Sequence, residues 1–175
     1  MAVFDVELIL PDTSATEVLG VSLARAFPGA EEASATLYLE GDLGAGKTTC
    51  VRALLRSCGV SGLIRSPTYT LVEAYRLDGR TPPLTCVHVD LYRLEGAAEV
   101  DELGLRDYLT PGHLLLIEWP QKGAGSLPAN DVLLSLEFAA RGRQARLHAG
   151  TERGTSWLTN LRDDARLASY LSNLA

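Results

Sequence analysis

The chain has 175 residues, a formal net charge of −6 and a sequence pI of about 5.1. Apolar residues make up 46% and charged residues 22%, which are ordinary globular values and exclude wholesale disorder and low-complexity repeats. We expect a single domain over residues 1–175, because this length suffices for one substantial core. The net negative charge argues against a protein that binds DNA or RNA phosphates without a partner, since such proteins are usually basic.

The spacing of the cysteines and the length of the apolar stretches indicate the cellular compartment of the protein. Cys50, Cys58 and Cys86 form no CxxC pair, which favours reduced thiols over a disulfide framework or a zinc site. No apolar run approaches the ~20 residues that span a bilayer. The N-terminal stretch MAVFDVELILPD carries acids where a signal peptide carries Lys or Arg. We therefore expect a cytoplasmic protein with no membrane segment.

The first predicted elements are a strand, a helix, a second strand and a second helix. Alternating apolar residues favour a strand over 4–10. Ser14 and Glu17 have the spacing of a capping box at the start of a helix. The apolar stripe of that helix is Leu19, Leu23 and Phe27. Residues 35–40 predict the second strand, and a Gly-rich turn leads from it into a helix that runs through Leu55.

The rest of the chain alternates predicted strands with helical segments. The strands are expected over residues 69–77, 84–91, 113–118, 131–138 and 144–148. An acidic helical segment is expected over 95–108, and a C-terminal helix docked on the body over 155–175. If the first two of these strands pair, they form an antiparallel ribbon within or beside the main sheet.

The strongest motif is GDLGAGKTT at residues 41–49, which matches G-x-x-x-x-G-K-[ST] in full. Its glycines let consecutive backbone N–H groups point at phosphate oxygens. Lys47 is expected to bridge the β- and γ-phosphates, Thr48 to ligate Mg²⁺ and Thr49 to contact the α-phosphate. The helix that starts near Gly46 adds the positive end of its dipole.

Two acidic residues at predicted strand ends complete the expected site. The apolar strand HLLLIE ends in Glu118, as a Walker B element does, and its carboxylate would meet Mg²⁺ directly or through water. Asp90 ends another strand, and we expect it rather than Glu118 to orient the attacking water. His88, two residues before Asp90, is equally compatible with a structural and a functional role.

The sequence gives less information about which nucleotide base is bound and about which positive side chain stabilises the transition state of hydrolysis. It has no Asn-Lys-x-Asp segment for reading guanine, which favours adenine and hence ATP. No arginine finger is evident, although Arg65, Arg76 and Arg93 are candidates. A partner protein is an alternative source of that charge.

The ordered motifs resemble those of the TsaE family, also called YjeE. They are the 41–49 loop, Ser66-Pro-Thr-Tyr69, His88-Val-Asp-Leu-Tyr-Arg93 and Ile117-Glu-Trp119, within a similarity that runs from about residue 8 to about residue 148. The resemblance implies a P-loop NTPase-like three-layer α/β fold with a mixed parallel and antiparallel sheet. It implies a slow Mg²⁺-dependent ATPase of tRNA threonylcarbamoyladenosine (t6A) synthesis, with ATP and Mg²⁺ as its cofactors.

The resemblance also implies partners and site residues. The partners are TsaB and TsaD, which modify adenosine 37 of tRNAs that read ANN codons, so that tRNA is contacted only indirectly and hydrolysis resets the complex. Lys47, Asp90 and Glu118 are the implied catalytic residues, and Thr48, Asp90 and Glu118 the implied metal ligands. The implied nucleotide contacts are Asp12, Thr13, Asp42, Leu43, Gly44, Ala45, Gly46, Lys47, Thr48, Thr49, Trp119 and Arg143. Asp12, Thr13 and Arg143 match the adenine edge, and Thr68 lies in a segment like switch I.

Two other functions remain open from the sequence. A small-molecule kinase would share the phosphate loop, although the chain has no Arg-rich lid segment. A nucleotide-dependent interaction switch without essential hydrolysis would use the 66–69 loop and the acidic 95–108 region as its contact surface.

Overall fold

Seven strands form one mixed sheet in the computed structural model, which describes residues 5–77, 79, 82–96 and 98–172. The strands are β1 Asp5–Leu10, β2 Ala35–Gly41, β3 Val72–Leu77, β4 Leu84–Asp90, β5 His113–Glu118, β6 Val132–Phe138 and β7 Arg143–Ala149. The α-helices are α1 Thr13–Ala26, α2 Lys47–Cys58, α3 Ala98–Glu102 and α4 Glu152–Arg162. Short 3₁₀ turns cover Leu105–Tyr108, Pro120–Gly123 and Ala165–Leu167.

The strand order is β1-β7-β6-β2-β5-β4-β3, with four parallel strands in the centre. β2 pairs in parallel with β5 and β6, and β5 pairs in parallel with β4. β1, β7 and β3 pair antiparallel with their neighbours, which confirms the expected ribbon of β3 and β4. The carboxyl ends of β2, β4 and β5 therefore meet at one edge of the sheet, where open α/β sheets bind their ligands.

The sheet is covered on both faces, so the fold has three layers. Along β5, Leu114 and Leu116 join the larger apolar cluster under α1, α2 and α4. Leu115 and Ile117 join a smaller cluster with α3 and the 3₁₀ turn that follows it. A strand buried on both faces reads as a continuous apolar run, which explains the HLLLI sequence.

Helix α1 begins one residue after Asp12, and the expected capping box of Ser14 and Glu17 is wrong. The Asp12 carboxylate accepts a hydrogen bond from the backbone N–H of Ala15 at 2.8 Å, which makes Asp12 the N-cap. Aspartate is among the best N-cap residues, and its presence two positions earlier places the start of the helix there. The predicted apolar stripe is confirmed, because Leu19 and Leu23 are buried and Phe27 packs against the core.

Other boundaries also differ from the predicted ones. Helix α2 extends past Leu55 and ends at Cys58. The next residue, Gly59, caps the helix with a φ of 110°, which lies in the left-handed region. Strand β3 starts at Val72 rather than at residue 69, because residues 67–71 form a turn in which the Leu71 N–H donates to the Pro67 carbonyl at 2.7 Å. Only parts of the acidic 95–108 segment are helical.

The C-terminal region departs most from its predicted form. The helix expected over 155–175 starts earlier and ends at Arg162. Beyond it, backbone hydrogen bonds join Ile9 to Tyr170 at 2.8 Å and Ser172 to Glu7 at 2.9 Å, so the chain lies along the outer edge of β1. Residues 173–175 lie outside the described residues. Docking of the helix on the body is confirmed, since buried Trp157 donates its ring N–H to the Leu23 carbonyl at 2.8 Å.

No helix among the described residues is long and apolar enough to span a bilayer.

Candidate functional site

The loop between β2 and α2 has a shape that requires glycine at two positions. Gly41 has φ 136°, and a Cβ there would lie 2.2 Å from the Leu136 carbonyl oxygen. Gly46 has φ 110° and lies directly before α2, where a Cβ would stand 3.3 Å from Arg143 Nε. The loop therefore packs closely against β6 and β7 where it leads into α2, whose first backbone N–H groups have no acceptor within the helix.

Lys47 lies almost fully buried on the first turn of α2. Its ammonium donates to the carbonyl oxygens of Gly41 at 2.6 Å and Asp42 at 2.9 Å, and it lies 4.0 Å from the ring centroid of Trp119. Burial lowers the pKa of Lys47, while the negative charges of Glu118, Asp90 and Asp42 act in the opposite direction. The loop thus surrounds the Lys47 ammonium, a point charge of the kind that binds phosphate in P-loop proteins.

The Glu118 carboxylate lies next to the phosphate loop and has a partner on each oxygen. Oε2 accepts from the Thr48 hydroxyl at 2.9 Å, and Oε1 lies 2.8 Å from His88 Nε2. Glu118 and His88 are both buried. Two of the three residues predicted to serve Mg²⁺, Thr48 and Glu118, are thus in direct contact across 70 residues of sequence.

Asp90 lies opposite Glu118 in the β4–β5 register and is tied to the loop before β3. Its Oδ2 accepts from the Thr68 hydroxyl at 3.1 Å, and its Oδ1 accepts from the Tyr92 backbone N–H at 3.0 Å. Ser66 Oγ lies 2.9 Å from Thr68 Oγ1. The segment predicted to resemble switch I therefore contacts the acid that is predicted to orient water.

Two aromatic side chains, Tyr92 and Trp119, line this site, and a third, Tyr69, lies in the loop before β3. Trp119 has φ 60°, a left-handed conformation that is costly for a bulky residue, and its ring lies 5.0 Å from that of Tyr92. Arg93 stacks on Tyr69 with 4.3 Å between the guanidinium carbon and the ring centroid. The side chain of Tyr69 is 82% exposed.

A small cavity of about 130 Å³ brings seven of the fourteen predicted site residues together. It is lined by Leu43, Gly44, Lys47, Thr48, Thr68, Asp90, Tyr92, Glu118 and Trp119. The arginine-finger candidates Arg65, Arg76 and Arg93 are not among the described residues of its wall. Tyr92 is a lining residue that the sequence reasoning missed, and its position directly after the H-x-D-x segment was the available signal.

The three residues predicted at the adenine edge lie outside this cavity. The Asp12 carboxylate caps α1, while Thr13 lines an open groove of about 620 Å³ between α1 and α2, together with Thr49 and Arg52. Arg143 lies against Gly46, and its buried Nε has no hydrogen-bond partner among the described residues. A buried donor without a partner suits a residue that contacts a ligand.

The oxygen donors of the site fit Mg²⁺. Thr48, Asp90 and Glu118 offer hydroxyl and carboxylate oxygens, which are the ligands this hard cation prefers. The described residues hold no group of three or more His, Cys, Asp or Glu side chains that could hold a metal ion. Magnesium in nucleotide sites is bound by one or two carboxylates together with phosphates and water, and this donor set suits that arrangement.

The glycine loop, the lysine on the following helix and the acid that ends the neighbouring strand define a P-loop α/β protein. The family model "Threonylcarbamoyl adenosine biosynthesis protein TsaE" matches residues 10–147. The chain therefore belongs to the TsaE family, and the resemblance predicted from the motifs is confirmed.

Individual relatives agree with the family match. Proteins of Haemophilus influenzae and Synechocystis, both named tRNA threonylcarbamoyladenosine biosynthesis protein TsaE, are similar to this chain. The first is 43% identical over 123 residues, which cover 70% of this chain and 75% of the relative. The second is 40% identical over 120 residues, which cover 66% and 71%. A crystal structure of Bacillus subtilis YdiB has a TM-score of 0.70 and 25% identity, covering 92% of this chain and 95% of that chain.

Proposed function

We propose that this protein binds ATP with Mg²⁺ and hydrolyses it slowly, and that it acts with TsaB and TsaD in the formation of t6A at position 37 of tRNA. The observation that carries the proposal is the direct contact of Thr48 with Glu118 beside Lys47, at the carboxyl edge of the sheet. The TsaE family membership and the names of the relatives support the role in t6A synthesis.

Each residue of the site has its own role in nucleotide binding and hydrolysis. The backbone N–H groups of the loop and of the first turn of α2 bind the phosphates, and Lys47 offsets their negative charge. Thr48 and Glu118 would hold Mg²⁺, which would offset negative charge on the phosphates. Asp90 accepts a hydrogen bond from the attacking water and positions it. Arg143 and Thr13 contact the nucleotide outside the cavity that Glu118 lines.

Slow turnover by the isolated chain follows from the charges around the site. Asp90 accepts one hydrogen bond on each oxygen, from Thr68 and from the Tyr92 backbone, and keeps lone pairs with which it accepts from a water. The site has no arginine among the described residues of its cavity wall, and a partner supplies the missing cation. The net charge of −6 is compatible with a cytoplasmic factor that reaches tRNA only through TsaB and TsaD.

Nucleotide binding is tested with the chain's two lysines. Lys47→Ala removes the central cation of the loop, whereas Lys122→Ala removes the other lysine, which is exposed after β5. We expect Lys47→Ala to lose binding of a fluorescent ATP analogue and Lys122→Ala to keep it. Wild-type affinity in Lys47→Ala would remove the phosphate-loop assignment.

The cellular role is tested in a reconstituted t6A reaction with TsaB, TsaD and tRNA. We expect multiple turnovers only when this protein is present, and faster ATP hydrolysis when TsaB and TsaD are added. A t6A yield that is independent of the protein would contradict the proposal.

The contact of Thr68 with Asp90 favours a nucleotide-dependent switch as the second candidate function. In that case nucleotide binding alone moves the 66–71 segment and changes partner affinity. A variant that binds ATP without hydrolysing it would then still support complete tRNA modification. An ATPase that is required for turnover predicts the opposite.

A further inference from the structure

His88 is a fully buried histidine for which the reaction outlined above assigns no role. It lies on β4, where its neighbours across the sheet are Leu116 of β5 and Glu73 of β3. Its Nε2 lies 2.8 Å from Glu118 Oε1, and its Nδ1 has no hydrogen-bond partner among the described residues. A buried polar ring with one bare nitrogen costs free energy that an apolar side chain would avoid.

The hydrogen atoms of this cluster can be assigned from its contacts. A neutral imidazole carries one N–H, and a bare N–H in a protein core costs more than a bare acceptor nitrogen. Because only Nε2 has a partner, the proton belongs on Nε2, which donates to Glu118. Glu118 therefore accepts one hydrogen bond on each oxygen, from His88 and from Thr48.

This arrangement determines what the Thr48 hydroxyl presents to the site. A threonine hydroxyl has one hydrogen and two lone pairs. Its hydrogen points at Glu118, so both lone pairs are left for a cation. If the carboxylate could rotate, Thr48 would lose this preferred orientation. His88 holds the far oxygen of Glu118 and prevents that rotation.

We propose that His88 is a positioning residue for Mg²⁺, which acts by holding Glu118 so that the Thr48 lone pairs face the metal. The proposal rests on the proposed nucleotide function of the site. The hydrogen bond from His88 to Glu118 is of the kind that metal ligands in other proteins accept from neighbouring side chains. Loss of such a neighbour costs on the order of 10- to 100-fold in metal affinity.

Two variants of equal length separate positioning from packing. His88→Gln keeps an N–H donor at about the position of Nε2, whereas His88→Met keeps the length and loses the donor. Binding of a fluorescent ADP analogue is titrated with Mg²⁺ and again with EDTA. We expect His88→Met to need on the order of tenfold more Mg²⁺ for half-maximal tightening while its affinity in EDTA stays close to wild type. His88→Gln should recover most of the Mg²⁺ response.

The outcomes are distinct. An unchanged Mg²⁺ requirement in His88→Met overturns the positioning role. Equal losses of Mg²⁺-dependent and EDTA affinity in both variants mean that His88 only packs the core, and also overturn it. If the wild type binds no nucleotide, the proposed function itself fails.

A second measurement tests the tautomer without any ligand. In a ¹⁵N spectrum of the histidine rings, the His88 signal is identified as the one that His88→Gln lacks among the three histidines. We expect a protonated Nε2 and a bare Nδ1 in the wild type. The opposite tautomer would mean that His88 does not donate to Glu118, and would overturn the proposal.

Discussion

Replacing Gly20 by alanine tests the close approach of α1 to α2, the helix that carries the phosphate loop at its start. A methyl group at Gly20 would lie 2.2 Å from the Cys50 carbonyl oxygen and 2.8 Å from Ala53 Cβ, both on α2. Ordinary contacts of this kind are about 3.4–4 Å, so the helices must move apart by about 1 Å. The obstacle is backbone, which cannot turn aside as a flexible side chain can.

Two opposing free energies decide the result. Alanine in a helix interior is favoured over glycine by about 0.5–1 kcal/mol. Overpacking a well-packed interior costs about 1–3 kcal/mol, and a 2.2 Å contact with a carbonyl belongs at the upper end of that range. We therefore expect a net loss of about 1–2 kcal/mol, which lowers the Tm of a domain of this size by roughly 2–8 °C.

The assay is thermal unfolding followed by circular dichroism, with nucleotide binding measured beside it. Affinity should also fall, because Thr16 of α1 packs beside Gly46 of the phosphate loop and a shift of α1 changes that contact. As a control, adding Ala53→Gly removes the methyl contact but leaves the carbonyl contact, so it should not restore stability. A Tm at or above wild type in Gly20→Ala, with unchanged affinity, would refute the reasoning.

The remaining predictions concern the site and its neighbourhood. Asp90→Asn keeps an acceptor for the Tyr92 N–H, so nucleotide affinity should stay near wild type while ATP turnover falls by about 10²-fold or more. Affinity is measured by nucleotide binding and turnover by phosphate release. An equal loss of both would make Asp90 a binding residue instead. Burial raises the pKa of the Cys50 thiol to about 12, so at pH 8 almost no thiolate is present and the folded protein should not react at Cys50 with a thiol reagent. Mass spectrometry of the alkylated protein checks this, with the denatured chain as the control, and rapid native labelling of Cys50 would contradict it.

Local sequence patterns predicted most of the fold. The strand His113–Glu118 was predicted with its observed bounds, because a buried parallel strand is an uninterrupted apolar run. The start of α1 was placed wrongly because two capping patterns overlap, and Asp12 prevails over Ser14. The helix predicted over 155–175 failed beyond Arg162, where the chain instead pairs with β1. That pairing depends on an edge strand distant in sequence, which no local pattern contains.

For the candidate site, the sequence by itself determined the chemical groups: a glycine loop, Lys47, Thr48 and two acids at strand ends. The loop, Lys47 and Thr48 follow from the spacing of residues within one motif. The two acids follow from the rule that the carboxyl ends of parallel strands lie at the same edge of the sheet. Only the tertiary structure decided which groups touch, such as Glu118 with Thr48 and His88, or Asp90 with Thr68. A hydrogen bond of about 3 Å between residues far apart in sequence is set by strand order and register, and these are global properties of the folded chain.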